Sequence, residues 1–315
     1  MNSNVKTVEI QETQNNSGLA VLNEHVNNFV KFLDVAPLTV RSYCSGLKQF
    51  FAFVRINNVE INKNSVVEFK KFLAENNRKN STIALYISAI KKFFTWTESE
   101  RLYPNISAGI KAPKIDRGHK RDAFSGTQIK DIMHTVNTSS LEGLRNFAMI
   151  GLIATTGLRT IEVVRANIED LRLNAGQWVL FVQGKGRSDK ADFVKITPKV
   201  LKAITAYLKA RGRNVKPSDP LFVSHSRRNQ GSRLTTRTVS GVCKNAMKAA
   251  GYISSRLTAH SLRHTAITLA LLAGQSIQEV SSFARHANIA TTMVYNHAVN
   301  RIQSQCEALI ESQIF

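Results

Sequence analysis

From residue 22 to residue 94, apolar side chains recur at helical spacing in four successive stripes. Leu22, Val26, Phe29 and Leu33 form the first, and Val40, Tyr43, Leu47, Phe50 and Val54 the second. Val66, Phe69 and Leu73 form the third, and Ile83, Ile87, Ile90 and Phe94 the fourth. Steps of three and four residues put such side chains on one side of a helix, and a one-sided helix must bury that side against another element. The pattern predicts a small helical bundle with Asn-rich turns at 55–65 and 75–81. Asn80 or Ser81 is the expected N-cap of its fourth helix.

The stretch PNISAGIKAPKIDRGHKRD (104–122) loses all periodicity, carries Pro, Gly and several basic residues, and reads as an interdomain linker. The expected organisation is a polar, disordered head at 1–18, a helical DNA-binding domain at 19–112, a basic linker at 113–122, a larger domain at 123–298 and a C-terminal helix at 299–315. A length of 315 residues suits two domains at about 100–200 residues each. The larger domain is mostly helical with one β insertion: WVLFV (178–182) and DFVKI (192–196) flank QGKGRSDKA, which predicts a hairpin with a basic tip. A helix over 235–250 buries Val239, Val242, Cys243 and Ala246 and turns Arg237, Lys244 and Lys248 outward, a face suited to a DNA groove. HSLRHTAITLALLAG reads as a helix stopped by Gly274, and SIQE (276–279) as a capping box opening the next. The fold class is therefore mainly α with a small β-sheet: a helical bundle followed by an α+β domain.

Charge narrows the function classes. Lys and Arg number 43 against 22 Asp and Glu, a net of +21. Residues 123–315 hold 25 against 11, and residues 19–112 hold 13 against 7, so both halves are basic. Such an excess attracts a polyanion through counterion release, and two basic lobes on a basic linker suit closure around a duplex. Arg41 and Lys91 in the bundle, with Arg237, Lys244 and Lys248, are the candidate DNA contacts. No run reaches the roughly 18 apolar residues of a membrane span. The opening MNSNVKTVEIQETQNNSG has no apolar core of a signal peptide. Cys44, Cys243 and Cys306 have neither disulfide-framework nor zinc spacing, which suits a reducing cytoplasm.

Several residues could carry chemistry, each with a plainer reading beside it. Arg159 and Glu162, one turn apart after an apolar run, can pair as a structural ion pair or hold a guanidinium ready for an anion. His260 and Arg263 share a helix face and could grip a phosphodiester while moving a proton; lone histidines at helix starts are also often caps. His264, next to Arg263, is expected to point elsewhere. The GKGRSDK tip offers Lys185, Arg187 and Lys190 without Walker spacing, and a solvated basic turn is its default reading. In TTMVYNHAV (291–299), Tyr295 is either a core aromatic among Met293, Val294 and Val299 or a nucleophile. Of His260, His264, His286 and His297 only the first two stand at i, i+4, and no carboxylate or Cys sits at matching spacing, so no metal is expected.

In order along the chain stand TTGLR with Glu three residues after the Arg, the GKG hairpin, HSLRH, and a His nine residues before a Tyr. The steps between Arg159, Lys185, His260, Arg263, His286 and Tyr295 are 26, 75, 3, 23 and 9 residues. This set resembles the tyrosine site-specific recombinases of the lambda-integrase family, most closely its short Xer-like and integrase-like members, and covers nearly the whole chain. The resemblance implies a SAM-like core-binding domain before a tyrosine-recombinase catalytic domain. It implies that Tyr295 attacks the scissile phosphorus to give a 3′-phosphotyrosine and a free 5′-hydroxyl. Arg159 and Arg263 would clamp the phosphate, His260 would transfer the phenolic proton, Lys185 would protonate the leaving oxygen, His286 would hydrogen-bond the phosphate, and Glu162 would support the site.

No cofactor, metal or ATP is implied, because the phosphotyrosine conserves the bond energy for religation. The implied partners are double-stranded DNA core sites with inverted repeats and a homotetramer on synapsed DNA. An accessory protein or a second recombinase is an open addition, and no membrane is involved. The outcome would be integration, excision, inversion or dimer resolution, as in a mobile genetic element. The 18-residue head is too short for an arm-binding domain, and the C-terminal helix is expected to dock on a neighbouring subunit. A type IB topoisomerase shares this chemistry, and a non-catalytic DNA-binding regulator shares the charge but would show a broken residue set. Two departures from the family pattern stand out: Arg285, where a small residue often Gly precedes the second His, and Ala259, where Pro often precedes the first.

Overall fold

The computed structural model describes residues 24–115, 122–184, 187, 189–212 and 214–315. The expected head at 1–18, Leu22, and Lys185 at the hairpin tip lie outside the described residues. The chain divides into two compact units at Arg117 and Gly118. Among the described residues no helix is long and apolar enough to cross a membrane.

Among the described residues, the regular elements of the first unit are all helices. Residues 24–32 form α1, followed by α2 (Pro37–Ile56), α3 (Lys63–Glu75) and α4 (Asn80–Ser99). The predicted stripes become the interior: Phe29, Leu47, Phe50, Val54, Val66, Phe69, Leu73, Ile83, Ile87, Ile90 and Phe94 are all buried. Phe50 meets Phe69 and Phe94 edge to face at centroid separations of 5.5 and 6.2 Å. Each such ring contributes roughly 1.5–3 kcal/mol by leaving water. α3 opens on a capping box between Asn62 and Ser65. The cap expected at Asn80 or Ser81 is absent, because α4 begins one residue earlier, after Lys79, with no side-chain cap. Asn80 instead donates through Nδ2 to the Lys114 carbonyl at 3.2 Å. The aperiodic stretch from 104 is pinned to this unit along its first half. Ile110 is buried, and Lys70 and Lys91 donate to the Lys111 and Ile110 carbonyls at 2.8 and 3.2 Å.

The second unit runs α5 (Gly126–His134), α6 (Leu141–Thr156), α7 (Thr160–Arg165), a short 3-10 turn (Ile168–Asp170), β1 (Leu171–Asn174), β2 (Gln177–Val182), β3 (Asp192–Lys195), α8 (Pro198–Arg211), α9 (Thr236–Ala249), α10 (Ala259–Leu272), α11 (Ile277–Ala284), α12 (Ala290–Gln303) and α13 (Cys306–Ile314). The sheet is antiparallel in the order β1-β2-β3, with Leu180 opposite both Leu171 and Val194. The β2–β3 hairpin is the predicted one; β1 is an unexpected third strand, whose burial does not alternate and which reaches β2 through a turn at Ala175 and Gly176, both at positive φ. α6 runs through the core, with Met149, Ile150, Leu152 and Ile153 fully buried. α9 presents Arg237, Lys244 and Lys248 to solvent as expected, while Val242 is only half-buried. α11 opens on the Ser276–Glu279 capping box.

The helix expected over 299–315 is two helices. α12 continues through Gln303, Ser304 turns extended, and α13 starts anew at Cys306. Val299 is buried, whereas no residue of α13 is, and Ile302, Leu309, Ile310 and Ile314 are exposed.

Candidate active site

The loop between α6 and α7 sets the site's floor. Gly157 ends α6 at φ +61, a left-handed conformation that an L side chain enters only at a cost of roughly 1–2 kcal/mol. Its carbonyl accepts a short hydrogen bond from Nη1 of Arg263. Two residues on, Arg159 is the N-cap of α7, and its backbone N–H donates to Glu162 Oε2 at 2.7 Å while its Nη1 donates to Oε1 at 2.9 Å. Glu162 is fully buried; Arg159 keeps 26% of its side chain exposed. Burial pushes the Glu162 carboxyl up, but the Arg285 and Arg159 guanidiniums and the Arg159 backbone N–H outweigh it and hold its pKa below the ordinary carboxylate value.

Arg263, on α10, is 2% exposed. Besides Gly157 it donates through Nη2 to the Ala284 carbonyl at 2.5 Å, so the ends of α6 and α11 fix its fork. Burial lowers its pKa to about 10, helped by the nearby Arg159 and Arg285 charges and opposed by Glu162 and Tyr295. It remains cationic at neutral pH.

Tyr295 is buried on α12 at 6% exposure, in a cluster with Ile267, Leu271, Val280, Ala284 and Val299. Its ring lies 5.0 Å from His264 and 6.2 Å from His286. Burial pushes the phenol up to about 12, against the pull of Arg263 and Arg159. The core-aromatic and polar-site readings thus describe one residue: an apolar cluster surrounds the ring, and two guanidiniums act on its hydroxyl.

His286 contacts Thr292, with Nδ1 and Oγ1 2.8 Å apart. Burial lowers its pKa to about 4, reinforced by Arg263, Arg159, Arg285 and His260. The ring is neutral at pH 7, and its second nitrogen, Nε2, is the one left for a ligand. Thr292 is fully buried, and sequence reasoning missed it, because Met293 was expected to pack inward; Met293 is 42% exposed. The TT pair preceding the tyrosine was the available signal.

His260 is exposed in the first turn of α10 and meets His264 edge to face at 4.9 Å. His264 does not point away, as expected, but lies buried between His260 and Tyr295. Four residues advance a helix by little more than one turn, so positions 260 and 264 share a face. Ala259 occupies N1 of α10, where proline is tolerated because its missing N–H would be unpaired anyway, so the departure carries no strain.

Arg285 is the other departure. It takes φ +52 and ψ 50 as the C-cap of α11, the backbone a glycine would supply. Its side chain is 7% exposed and its Nη2 donates to Glu162 Oε2 at 3.1 Å. Nη1 donates to the Phe283 carbonyl at 2.8 Å.

A cleft of about 620 Å³ lies over this cluster, lined among others by Arg159, Gly184, Arg285 and His286. Gly184 immediately precedes Lys185. Lys190, the other tip lysine, is paired with Asp170 at 2.5 Å. Arg159, Glu162, Arg263, His286 and Tyr295 are therefore assembled at one place, with His260 at its edge. Arg237, Lys244 and Lys248 are exposed on α9. Arg41 is exposed on α2, and Lys91 on α4 spends its amine on the Ile110 carbonyl.

The chain is similar to known proteins in sequence and in fold. Residues 123–301 match the phage integrase family, and residues 26–101 match the phage integrase N-terminal SAM-like domain. The chain is 30% identical over 292 residues to the tyrosine recombinase XerC of Herpetosiphon aurantiacus, covering 89% of this chain and 92% of that one. It is 26% identical to the tyrosine recombinase XerD of Listeria monocytogenes, covering 88% and 94%. Among solved structures, the XerH site-specific recombinase in a post-cleavage complex with palindromic difH substrate superposes with a TM-score of 0.72 at 20% identity, over 87% of this chain and 80% of that one. A lambda integrase dimer bound to a COC′ core site gives 0.67 at 16% identity, over 86% and 96%. These two share the fold.

Proposed function

The chain belongs to the phage integrase family and is a site-specific DNA recombinase of the tyrosine type, and we propose that it cuts and rejoins DNA through Tyr295. The observation that carries this reading is geometric: the Tyr295 ring lies 6.2 Å from His286, in a site whose Arg263 guanidinium is fixed by the Gly157 and Ala284 carbonyls and whose Arg159 is held by Glu162.

Arg159 and Arg263 clamp the non-bridging oxygens of the scissile phosphate, and His286 adds a hydrogen bond from Nε2 when Thr292 donates to Nδ1. A phenol at about 12 is ionised in on the order of one molecule in 10⁵ at pH 7. Its proton must therefore leave as the phenolic oxygen attacks, and His260 takes it. The Tyr295 oxygen–phosphorus bond forms, the bond from phosphorus to the 5′-oxygen breaks, and Lys185 supplies the proton that completes the 5′-hydroxyl. Religation runs these steps backwards with a partner strand's hydroxyl. The guanidiniums supply the electrostatic stabilisation of the charge that builds on the phosphoryl oxygens. For Lys185, the support is that its chain neighbour Gly184 lines the cleft while Lys190 is engaged by Asp170.

The partner is duplex DNA, gripped by the exposed Arg41 and by Arg237, Lys244 and Lys248, with Lys91 alongside. The active assembly is a homotetramer on synapsed inverted-repeat sites, with the exposed α13 docking on a neighbouring copy. A suicide substrate that loses its 5′-hydroxyl fragment tests the chemistry. The wild type should accumulate a covalent protein–DNA adduct and Tyr295→Phe none; adduct formation by Tyr295→Phe would sink the assignment. Lys185→Ala should cleave a hydroxyl-leaving substrate far more slowly than Lys190→Ala. Equal rates would move the acid elsewhere. Removing residues 305–315 should leave half-site cleavage intact and impair exchange between sites. Unchanged exchange by that truncated protein would count against docking through α13.

A further inference from the structure

We infer that Arg285 is a positioning residue: by sharing the charge of Glu162 it leaves the Arg159 guanidinium available to the scissile phosphate. The inference rests on the reading that Arg159 clamps that phosphate.

A carboxylate buried against one guanidinium forms a neutral pair, and a neutral pair is a poor clamp for an anion. Here the carboxylate has two guanidiniums, one on each oxygen: Arg159 on Oε1 at 2.9 Å and Arg285 on Oε2 at 3.1 Å. Arg159, Glu162 and Arg285 together carry one net positive charge, and Arg263 adds a second. That surplus suits a phosphodiester whose single negative charge becomes two as an oxygen nucleophile adds to phosphorus.

Arg285 also holds Arg159 directly, since its backbone carbonyl accepts from Arg159 Nη2 at 3.4 Å. The residue sits at positive φ with its side chain turned inward, a backbone state that non-glycine residues keep only where surrounding contacts enforce it. The Phe283 carbonyl and Glu162 supply those contacts. His286, the next residue, is thereby delivered to the same cleft from a turn whose geometry Arg285 fixes.

The test is single-turnover adduct formation on the suicide substrate, with protein in excess and DNA binding followed in parallel by gel shift. Arg285→Gly accepts the left-handed backbone and removes the guanidinium. With the cation go its hydrogen bonds to Glu162 and the Phe283 carbonyl, and the variant should form the adduct roughly thirtyfold more slowly than wild type, with DNA affinity changed less than about twofold. In the Glu162→Gln background, where no carboxylate needs a second cation, the same substitution should cost less than about threefold. A wild-type rate for Arg285→Gly, or an equal loss in both backgrounds, overturns the inference. If thermal melting shows Arg285→Gly unfolded, Arg285→Gln carries the same pair of comparisons. Failure of the wild type to form any Tyr295 adduct overturns the functional reading and this inference together. A normal wild-type adduct with an unaffected Arg285→Gly overturns this inference alone.

Discussion

In the helical unit Phe50, Phe69 and Phe94 meet edge to face, and the buried polar residues are Ser65, Thr97 and Ser107. Those hydroxyls find partners within three residues, as Thr97 does at the Phe94 carbonyl. The second unit, by contrast, buries Arg263, Glu162, His264 and Thr292 at its site. Its charged groups draw on distant partners as well as near ones: Arg159 meets Glu162 three residues on, but Arg263 reaches Gly157 across 106 positions of sequence, and Arg285 reaches Glu162 across 123. A buried ion pair is weak evidence for stability, because desolvation consumes most of the Coulombic gain. The aromatic interior is what a fold needs; the charged interior is what phosphoryl transfer needs, and it survives because the rest of the unit supplies the stability.

Substitutions can break that contrast. The largest expected effect is at Arg263. Arg263→Ala removes a proposed phosphate clamp and orphans the Gly157 and Ala284 carbonyls, so adduct formation should fall about 10³-fold, with a smaller loss of melting temperature. A rate within tenfold of wild type would show that the buried charge serves the fold. Phe50→Ala should do the reverse. It should cost about 3–5 kcal/mol in the helical unit and weaken DNA binding, while protein that is bound still forms the adduct at the wild-type rate. A changed cleavage rate at saturating protein would show that the aromatic interior governs the chemistry too.

Thr292→Val is subtler, since it keeps the shape and removes the partner of His286. Cleavage should slow by about tenfold with little change in melting temperature, and proton NMR of the imidazole should report a changed tautomer balance. An unaltered spectrum and rate would remove Thr292 from the site.

The smallest effect is on stability against pH. His286 titrates near 4 when folded and at the ordinary 6.5 when not, so acid protonates the unfolded chain first. Its contribution is whole above 6.5 and is lost as pH falls from 6.5 towards 4. Melting temperature should therefore fall less steeply over that interval in His286→Gln than in the wild type; parallel curves would show that the depressed imidazole contributes nothing.

The same contrast governs what could be read from sequence. The helical unit was legible because an aromatic interior writes itself as apolar period, and its four stripes supplied the core, although Val26, Leu33, Val40 and Tyr43 are only half-buried. The order and spacing of Arg159, His260, Arg263, His286 and Tyr295 were equally legible, as was the Ser276–Glu279 cap. What escaped depends on geometry that period does not encode. The Lys79 start of α4 shifted a cap by a residue, and β1 is too short and too irregular in burial to alternate. Helical spacing puts His264 on the His260 face, but its burial against the Tyr295 ring depends on where α12 packs, which the spacing does not contain. Thr292 and Arg285 are polar residues whose partners lie in folded space, so the sequence marked Arg285 only as a departure.

The excess of guanidiniums over carboxylates around Glu162 also has a practical side for anyone handling the purified protein. A cleft that holds two surplus positive charges in the absence of DNA will collect whatever multivalent anion the buffer provides. Phosphate and sulfate should therefore slow strand cleavage more than chloride at equal ionic strength, and heparin should elute the protein late. The choice of salt is part of the active-site chemistry.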